Sequence, residues 1–183
     1  MHRLGVIYGS DREGRFCDVV AGWVLRQLAQ DRGFEVEAID PLQLRKPAGG
    51  LDTAALLERL ARADAFLVVT PEYNHSFPAT LKALVDSANE AWHAKPVGFV
   101  SYGGVSGGLR AVEQLRLVFA ELHAVTIRDS VAFINAWDRF ADGRPTDEAK
   151  AARALRQVTG RLKWWSEALR QARTARPYAT ATD

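Results

Sequence analysis

The sequence predicts an α/β fold in which a five-stranded, doubly wound parallel sheet carries helices on both faces. Short apolar segments alternate along the chain with longer segments whose apolar residues recur at helical spacing, which is typical of a parallel sheet. Right-handed crossovers between parallel strands favour the doubly wound arrangement. The 183 residues contain no internal repeat, low-complexity tract or linker, so we expect one domain over residues 1–173 and a flexible tail over 174–183.

The strands are predicted from apolar or alternating segments, and the helices from apolar residues at i, i+3, i+4 and i+7. The predicted strands are Arg3–Tyr8, Phe34–Ile39, Ala65–Val69, Val97–Ser101 and Val125–Ile127, the last with a longer alternative that reaches Phe133. The predicted helices run from about Gly14 to Gly33, and over Ala54–Ala63, Pro78–Trp92, Leu109–Leu122 and Asp147–Arg173.

Individual residues set several of these bounds. Gly33 suits the position just after a helix, and Asp52 suits the position just before one. Pro71 is expected to end the third strand because proline has no N–H to donate to the sheet. Pro78 fits the first turn of a helix, where a missing N–H costs nothing.

Composition excludes several classes of protein. The 24 Lys and Arg residues nearly balance the 22 Asp and Glu residues, and they are scattered, so we expect no nucleic-acid partner. No apolar stretch approaches the ~20 residues that span a bilayer, and no signal peptide is visible, so we expect no membrane association. Cys17 is the single cysteine, which excludes an internal disulfide and favours a reducing, cytoplasmic location. The four histidines lack metal-binding spacing, so we expect no metal site.

The loop after the first strand is suited to a phosphate group. It leads into a helix N-terminus, where unpaired N–H groups and the positive end of the helix dipole favour an anion. Ser10 adds a hydroxyl, and Arg12 and Arg15 add guanidinium groups that match phosphate oxygens. The alternative is that both arginines are solvated surface charges. Cys17 allows two interpretations, which are a thiol packed in the core and a thiol whose pKa the helix lowers.

The loop after the third strand is suited to a flat ring with polar edges. Residues 71–82 read Pro-Glu-Tyr-Asn-His-Ser-Phe-Pro-Ala-Thr-Leu-Lys and expose Glu72, Tyr73, Asn74 and Ser76 beyond the strand. Open α/β sheets bind their ligands at the carboxyl ends of the strands. The loop offers backbone amides and one aromatic face there.

The loop after the fourth strand is rich in glycine. Residues 102–108 read Tyr-Gly-Gly-Val-Ser-Gly-Gly, with four glycines in seven residues. Glycine permits left-handed backbone and adds no side chain, so a planar ligand could lie directly against this backbone. Amides here could donate to a carbonyl edge of such a ring.

Two other motifs are nearly matched. Gly9–Phe16 has the outer glycines of a nucleotide-binding P-loop, but Arg15 and Phe16 replace its lysine and its magnesium ligand. Residues 104–108 match the G-x-S-x-G motif of hydrolases, but the only later histidine, His123, falls within or at the end of a predicted helix and precedes Asp129, so the expected triad partners are not found. We therefore favour neither a nucleotidase nor a hydrolase.

Together the three loops resemble the NADPH-dependent FMN reductase family of flavodoxin-like proteins. The similarity extends from Leu4 to about Ile134 and rests on three motifs in the family's order. These are Gly9-Ser-x-Arg-x-x-Arg-Phe, Pro71-Glu-Tyr-Asn-x-Ser-x-Pro-x-x-Leu-Lys and Ser101-Tyr-Gly-Gly-x-x-Gly-Gly-x-Arg. The middle motif is highly specific and the other two support it. Family members commonly have serine where this chain has Arg15, and often asparagine where it has Cys17.

The resemblance implies a flavodoxin-like fold with strand order 2-1-3-4-5 and a bound FMN. It implies that the first loop holds the FMN phosphate, that the second flanks the isoalloxazine ring and that the third contacts the ring edge. The residues implied are Ser10, Arg12, Arg15, Phe16, Cys17, Pro71, Glu72, Tyr73, Asn74, Tyr102, Gly103, Gly104 and Gly107. No catalytic acid or base is implied, since hydride passes directly from the nicotinamide to the flavin.

The activity implied is transfer of two electrons from NADPH or NADH to a small acceptor, which would be a quinone, azo dye, metal oxyanion or free flavin. The alternative is a flavodoxin-like electron carrier or redox sensor without steady turnover. We also expect a homodimer or homotetramer, because the third and fourth helices carry apolar residues on more than one face, including Leu115, Leu117, Val118 and Phe119.

Overall fold

The structure is a computed structural model that describes residues 1–31 and 33–180. Its strands are β1 (His2–Tyr8), β2 (Phe34–Ile39), β3 (Ala65–Pro71), β4 (Pro96–Gly103), β5 (Val125–Ile134), β6 (Phe140–Ala141) and β7 (Arg144–Pro145). The first five form one parallel sheet in the order β2-β1-β3-β4-β5, and the last two form a small antiparallel hairpin. The predicted fold class and strand order are thus confirmed, whereas the hairpin was not predicted.

Five α-helices connect and follow these strands. They are α1 (Cys17–Gln30), α2 (Thr53–Arg62), α3 (Ala79–Asp86), α4 (Leu109–Glu121) and α5 (Glu148–Ala175). Short 3-10 helices cover Glu90–Trp92, Ala136–Asp138 and Tyr178–Thr180. No helix in the described ranges combines the length and the apolar character needed to cross a membrane.

The predicted bounds differ from the structure in several places. Helix α1 runs over Cys17–Gln30 and not from about Gly14 to Gly33. The third helix ends at Asp86 and not at Trp92, because the backbone at Asn89 leaves the helical region. Strand β5 extends to Ile134, so the longer alternative is right. Pro71 lies within β3 and pairs in register with Tyr102, so proline does not end the strand where the sequence predicted.

The two central strands are buried along their whole length. Every residue of β3 and β4 is buried, because helices cover both faces of the sheet. One core lies between the sheet, α1 and α5, and the other lies between the sheet, α2, α3 and α4. Only the ends of the central strands are left for contact with a ligand.

Part of the predicted flexible tail is described and part is not. Helix α5 continues to Ala175, and the Tyr178 hydroxyl lies 2.9 Å from His123 Nδ1. Residues 181–183, to which the prediction also applied, lie outside the described residues.

The turn from β4 into α4 depends on two glycines with left-handed backbone. Gly107 has φ +61° and Gly108 has φ +85°. A Cβ atom on Gly108 would lie 2.7 Å from Ser101 Cβ and 2.9 Å from Tyr102 N. A side chain at this position would therefore meet both a strained conformation and a steric overlap.

We expect Gly108→Ala to lower the free energy of unfolding by about 2 kcal/mol or more, since the left-handed conformation alone costs about 1–2 kcal/mol for other residues. Urea unfolding of the flavin-free protein measures this. Gly104→Ala is the matched control, because its Cβ would meet no atom within 4 Å. Equal effects of the two substitutions would contradict the explanation.

Candidate functional site

Three loops meet at one edge of the sheet, where the neighbouring strands β1, β3 and β4 end. We call the loop between β1 and α1 the first loop, that between β3 and α3 the second, and that between β4 and α4 the third. Parallel strands place their carboxyl ends at the same edge, so the order β1-β3-β4 makes these loops adjacent. The three motifs found in the sequence therefore lie side by side.

The first loop offers unpaired backbone donors at the start of α1. No side chain caps this helix, and no atom in residues 1–31 or 33–180 accepts a hydrogen bond from the N–H of Gly14, Phe16 or Cys17. Ser10 is fully buried, and its hydroxyl lies 3.0 Å from the Tyr73 hydroxyl. The first loop is thereby joined to the second.

The two arginines of the first loop have different environments. The Arg12 guanidinium stacks 3.7 Å from the centre of the Tyr73 ring and has no hydrogen bond or ion pair within the described chain. The Arg15 guanidinium is buried and donates to Asp40, Asp18 and the Ser10 carbonyl. Arg12 thus remains available to an anion.

The expectation for Arg15 needs correction, because protein acceptors occupy its guanidinium N–H groups. Burial alone would lower the pKa of Arg15, but hydrogen bonds to Asp40 and Asp18 raise it above its ordinary value. The side chain is a fixed cation whose charge these carboxylates balance. A direct contact with phosphate does not fit this geometry.

The second loop contains a tight two-residue turn. Tyr73 and Ser76 exchange backbone hydrogen bonds of 2.8 and 3.0 Å, and Asn74 and His75 between them have φ +50° and +67°. This is the pattern of a type I′ turn. Gln114 of α4 supports the turn, accepting from Ser76 Oγ at 2.6 Å and donating to the His75 carbonyl at 2.6 Å.

Glu72 joins the second loop to the third. Its carboxylate accepts from Ser106 Oγ at 2.6 Å and from the backbone N–H and Nη1 of Arg110 at 3.1 and 2.9 Å. Burial alone would raise the pKa of Glu72, but these hydrogen bonds and the Arg110 charge lower it. Its side chain is committed to the protein, so only its backbone is available to flank a ring.

Tyr102 also differs from the expectation. Its side chain is buried in the core, with its ring 5.8 Å from that of Phe16. Burial, and to a lesser degree Cys17, raises its pKa above the ordinary value. The buried phenol is therefore not available to a ligand at the surface. Of the two glycines that follow it, Gly103 is buried and Gly104 is exposed.

The glycines of the third loop also differ in role, since one is required by packing within the fold and another faces free space. A Cβ on Gly107 would lie 3.0 Å from Ile134 Cγ1, so this glycine serves the fold. Gly104 is exposed with free space around it, and it is the glycine that leaves room for a ligand.

Cys17 is buried, and its Sγ lies 3.6 Å from the Val69 carbonyl oxygen. Burial raises the pKa of the thiol to about 11, so the interpretation of a thiol with a lowered pKa is wrong. Among its atoms, only the backbone N–H could serve a ligand in the first loop.

Sequence reasoning missed an aromatic side chain at the site. Trp137 is 65% exposed and stacks on Phe16, with ring centres 6.1 Å apart and planes at 15°. It follows β5, and the N–H of Asn135, the first residue after that strand, donates to the Gly104 carbonyl at 3.0 Å. Trp137 lies at this edge because β5 extends to Ile134. The sequence did not decide between this long strand and one that ends at Ile127, so Trp137 could not be assigned to the site.

Comparison with known proteins agrees with this geometry. A family model described as NADPH-dependent FMN reductase matches residues 2–138. An NAD(P)H-dependent FMN reductase of Schizosaccharomyces pombe is 38% identical over 120 residues, which cover 58% of this chain and 60% of the relative. A 2-hydroxy-1,4-benzoquinone reductase of a Burkholderia species is 31% identical over 111 residues, which cover 58% of each chain. The matched segment thus spans about three fifths of both relatives.

A solved structure extends the similarity to most of the chain. The NAD(P)H:(acceptor) oxidoreductase FerB of Paracoccus denitrificans, a flavoenzyme, aligns with a TM-score of 0.68 and 26% identity. The alignment covers 91% of this chain and 98% of FerB.

We expect Glu72→Gln to lower the free energy of unfolding by about 1 kcal/mol at pH 7, since it removes the charge that strengthens these hydrogen bonds. The pKa of Glu72 is lower in the folded than in the unfolded protein, so its ionisation stabilises the fold above the unfolded value and ceases to do so as the pH falls through the folded one. In urea unfolding, the difference between wild type and variant should therefore be smaller at an acidic pH, below the ordinary pKa of glutamate, than at pH 7.

The matched control is Glu113→Gln, on the exposed face of α4. It should have a small effect at both pH values. A Glu72→Gln effect that does not depend on pH would contradict the assignment.

Proposed function

The chain belongs to the NADPH-dependent FMN reductase family, and on this premise we propose that it is an FMN-dependent NAD(P)H oxidoreductase. The observation that carries the proposal is the meeting of the three loops, which hydrogen bonds of Ser10 with Tyr73 and of Glu72 with Ser106 and Arg110 hold together. The resulting edge is rich in free backbone amides and has one uncommitted cation.

The first loop fits the phosphate of FMN. The N–H groups of Phe16 and Cys17 at the start of α1, together with the Arg12 guanidinium, would bind the phosphate oxygens. This set suits a terminal monophosphate, and therefore FMN and not FAD. Arg15 would contribute by holding the loop.

The second and third loops fit the ring. The backbone of Pro71–Asn74 would flank one side of it, and Gly103 and Gly104 would approach its polar edge without side chains in between. The free space at Gly104 supports this arrangement.

Bound FMN supplies a ring that accepts a hydride and releases two electrons. In the overall reaction NAD(P)H, a proton and a quinone give NAD(P)⁺ and a hydroquinone. The residues of this chain would bind the cofactor, orient its ring and leave one face open to the donor and the acceptor in turn. No side chain is required as a proton donor to the flavin.

We propose a quinone as the acceptor. Ile134, beside the third loop, and Trp137, stacked on Phe16 of the first loop, are exposed and would offer apolar contact to a ring-shaped acceptor. The relatives named as quinone reductases favour the same class. Azo dyes, metal oxyanions and free flavin are the competing acceptors.

The purified protein tests the function directly. We expect an absorbance spectrum of bound flavin, release of FMN on heating, and NAD(P)H oxidation that continues in the presence of benzoquinone. Recovery of FAD, or no binding after reconstitution with FMN, would contradict the cofactor. Flavin binding without steady NAD(P)H oxidation would instead favour an electron carrier or sensor.

We expect Arg12→Ala to raise the Kd for FMN by roughly 10-fold or more, because a hydrogen bond to a charged group contributes about 1.5–3 kcal/mol. The Kd for riboflavin, which lacks the phosphate, should change much less. Fluorescence titration of both flavins measures this. Arg26→Ala, which removes a surface arginine bonded to the Gly143 carbonyl, is the control. Equal losses for the two flavins would place Arg12 elsewhere.

We also propose that the chain forms a homodimer or homotetramer. The apolar α4 residues named from the sequence do not all support this, since Leu115 and Phe119 are buried within the subunit and, of the four, only Leu117 is strongly exposed. The support now comes from Val105, 78% exposed beside the third loop, and Leu109, because a partner would cover both. A mass near 20.2 kDa in light scattering, at full activity, would contradict the proposal.

A cytoplasmic location completes the proposal. Cys17 is a free thiol, which fits a reducing compartment. Recovery of the native protein in a membrane or secreted fraction would contradict it.

A further inference from the structure

The first loop is held from behind by a buried ion pair. Arg15 Nη1 lies 2.8 Å from Asp40 Oδ1, and Nη2 lies 2.6 Å from Asp40 Oδ2, so the pair is bidentate. The two side chains are only 4% and 8% exposed. The pair links the first loop to the carboxyl end of β2.

The same guanidinium holds the backbone of the loop. Arg15 Nη1 donates to the Ser10 carbonyl at 2.5 Å, and Nε donates to Asp18 Oδ1 at 2.8 Å. The Ser10 hydroxyl in turn meets Tyr73 of the second loop. A continuous set of contacts thus runs from Asp40 through Arg15 to the loop backbone.

Asp40 is itself fixed. Its Oδ1 accepts from the Leu42 N–H at 2.9 Å, and its carbonyl accepts from the Gln43 N–H at 3.0 Å. It directly follows Ile39, the last residue of β2. The carboxylate is therefore a rigid anchor tied to the sheet.

We propose that Asp40 is a positioning residue for the FMN phosphate and acts through Arg15. By fixing the Ser10 carbonyl, the pair sets the path of the loop and the direction of the N–H groups at the start of α1. The inference rests on the proposed function, and it assigns to Arg15 a geometric role in place of a charge on the phosphate. A preorganised loop binds its anion without first having to be ordered.

A double substitution distinguishes an effect on FMN binding from an effect on the free energy of unfolding. Removing one partner of a buried ion pair leaves an uncompensated charge and destabilises strongly, whereas replacing both with apolar residues of similar volume is often near neutral. Arg15→Met combined with Asp40→Leu should therefore fold with a urea midpoint close to that of the wild type. Its loop would nevertheless lose the donor to the Ser10 carbonyl.

The readout is the ratio of the Kd for riboflavin to the Kd for FMN, measured on flavin-free protein by fluorescence. We expect this ratio to fall on the order of 10-fold in the double variant, the size expected for one lost charge-assisted contact. Arg15→Lys should lower the ratio as well, since lysine keeps the charge but cannot make the bidentate contact.

The matched control replaces an ion pair between β1 and β2 that lies away from the first loop. Arg3 Nε lies 3.1 Å from Glu35 Oε2 near the opposite ends of β1 and β2, where both side chains are exposed. Arg3→Met combined with Glu35→Leu should leave the ratio unchanged.

Two outcomes would overturn the proposal. One is a folded double variant that discriminates between the flavins as well as the wild type, and the other is full discrimination by Arg15→Lys. If the double variant does not fold, Arg15→Lys alone decides. A wild-type protein that binds no FMN would contradict the proposed function and, with it, the positioning role, and this result is distinct from the other two.

Discussion

The burial of β3 and β4 on both faces is the constraint on which the rest of the molecule depends. Strands that are apolar on both sides must be covered by helices on both sides, and the parallel connections supply those helices. The central strands then meet solvent only at their ends. Because their carboxyl ends coincide, the loops that follow them form one continuous edge.

Much of this architecture could be predicted from the sequence, because periodicity and apolar content depend on burial and burial dominates the fold. The errors fall where a local rule competes with tertiary contacts. Pro71 lacks an N–H, yet it pairs beside Tyr102 because β3 is held from both sides. Helix α3 ends early, although Trp92 continues its apolar pattern, because the chain changes path at Asn89 while Trp92 still reaches the same core.

The site was harder to predict than the fold, for a physical reason. Sequence identifies which residue types a loop contains, but the role of each depends on partners distant in the chain. Arg12 and Arg15 are alike as residues, and Asp40, 25 residues beyond Arg15, distinguishes them. Tyr102 belongs to β4, which is buried at every residue, so its side chain lies in the core. Trp137 lies at the edge because β5 extends as far as Ile134. The residue types at the site could thus be predicted from the sequence, but the directions in which their side chains point could not.

Helix α4 supports both the second and the third loop from its outer surface. Arg110 bonds Glu72, and Gln114 bonds Ser76 and the His75 carbonyl, although Arg110 and Gln114 are themselves exposed to solvent. Changes on this surface can therefore alter the shape of the ligand edge while every loop residue stays the same. Laboratory evolution that randomises only the loops would leave these two supporting residues of α4 unchanged.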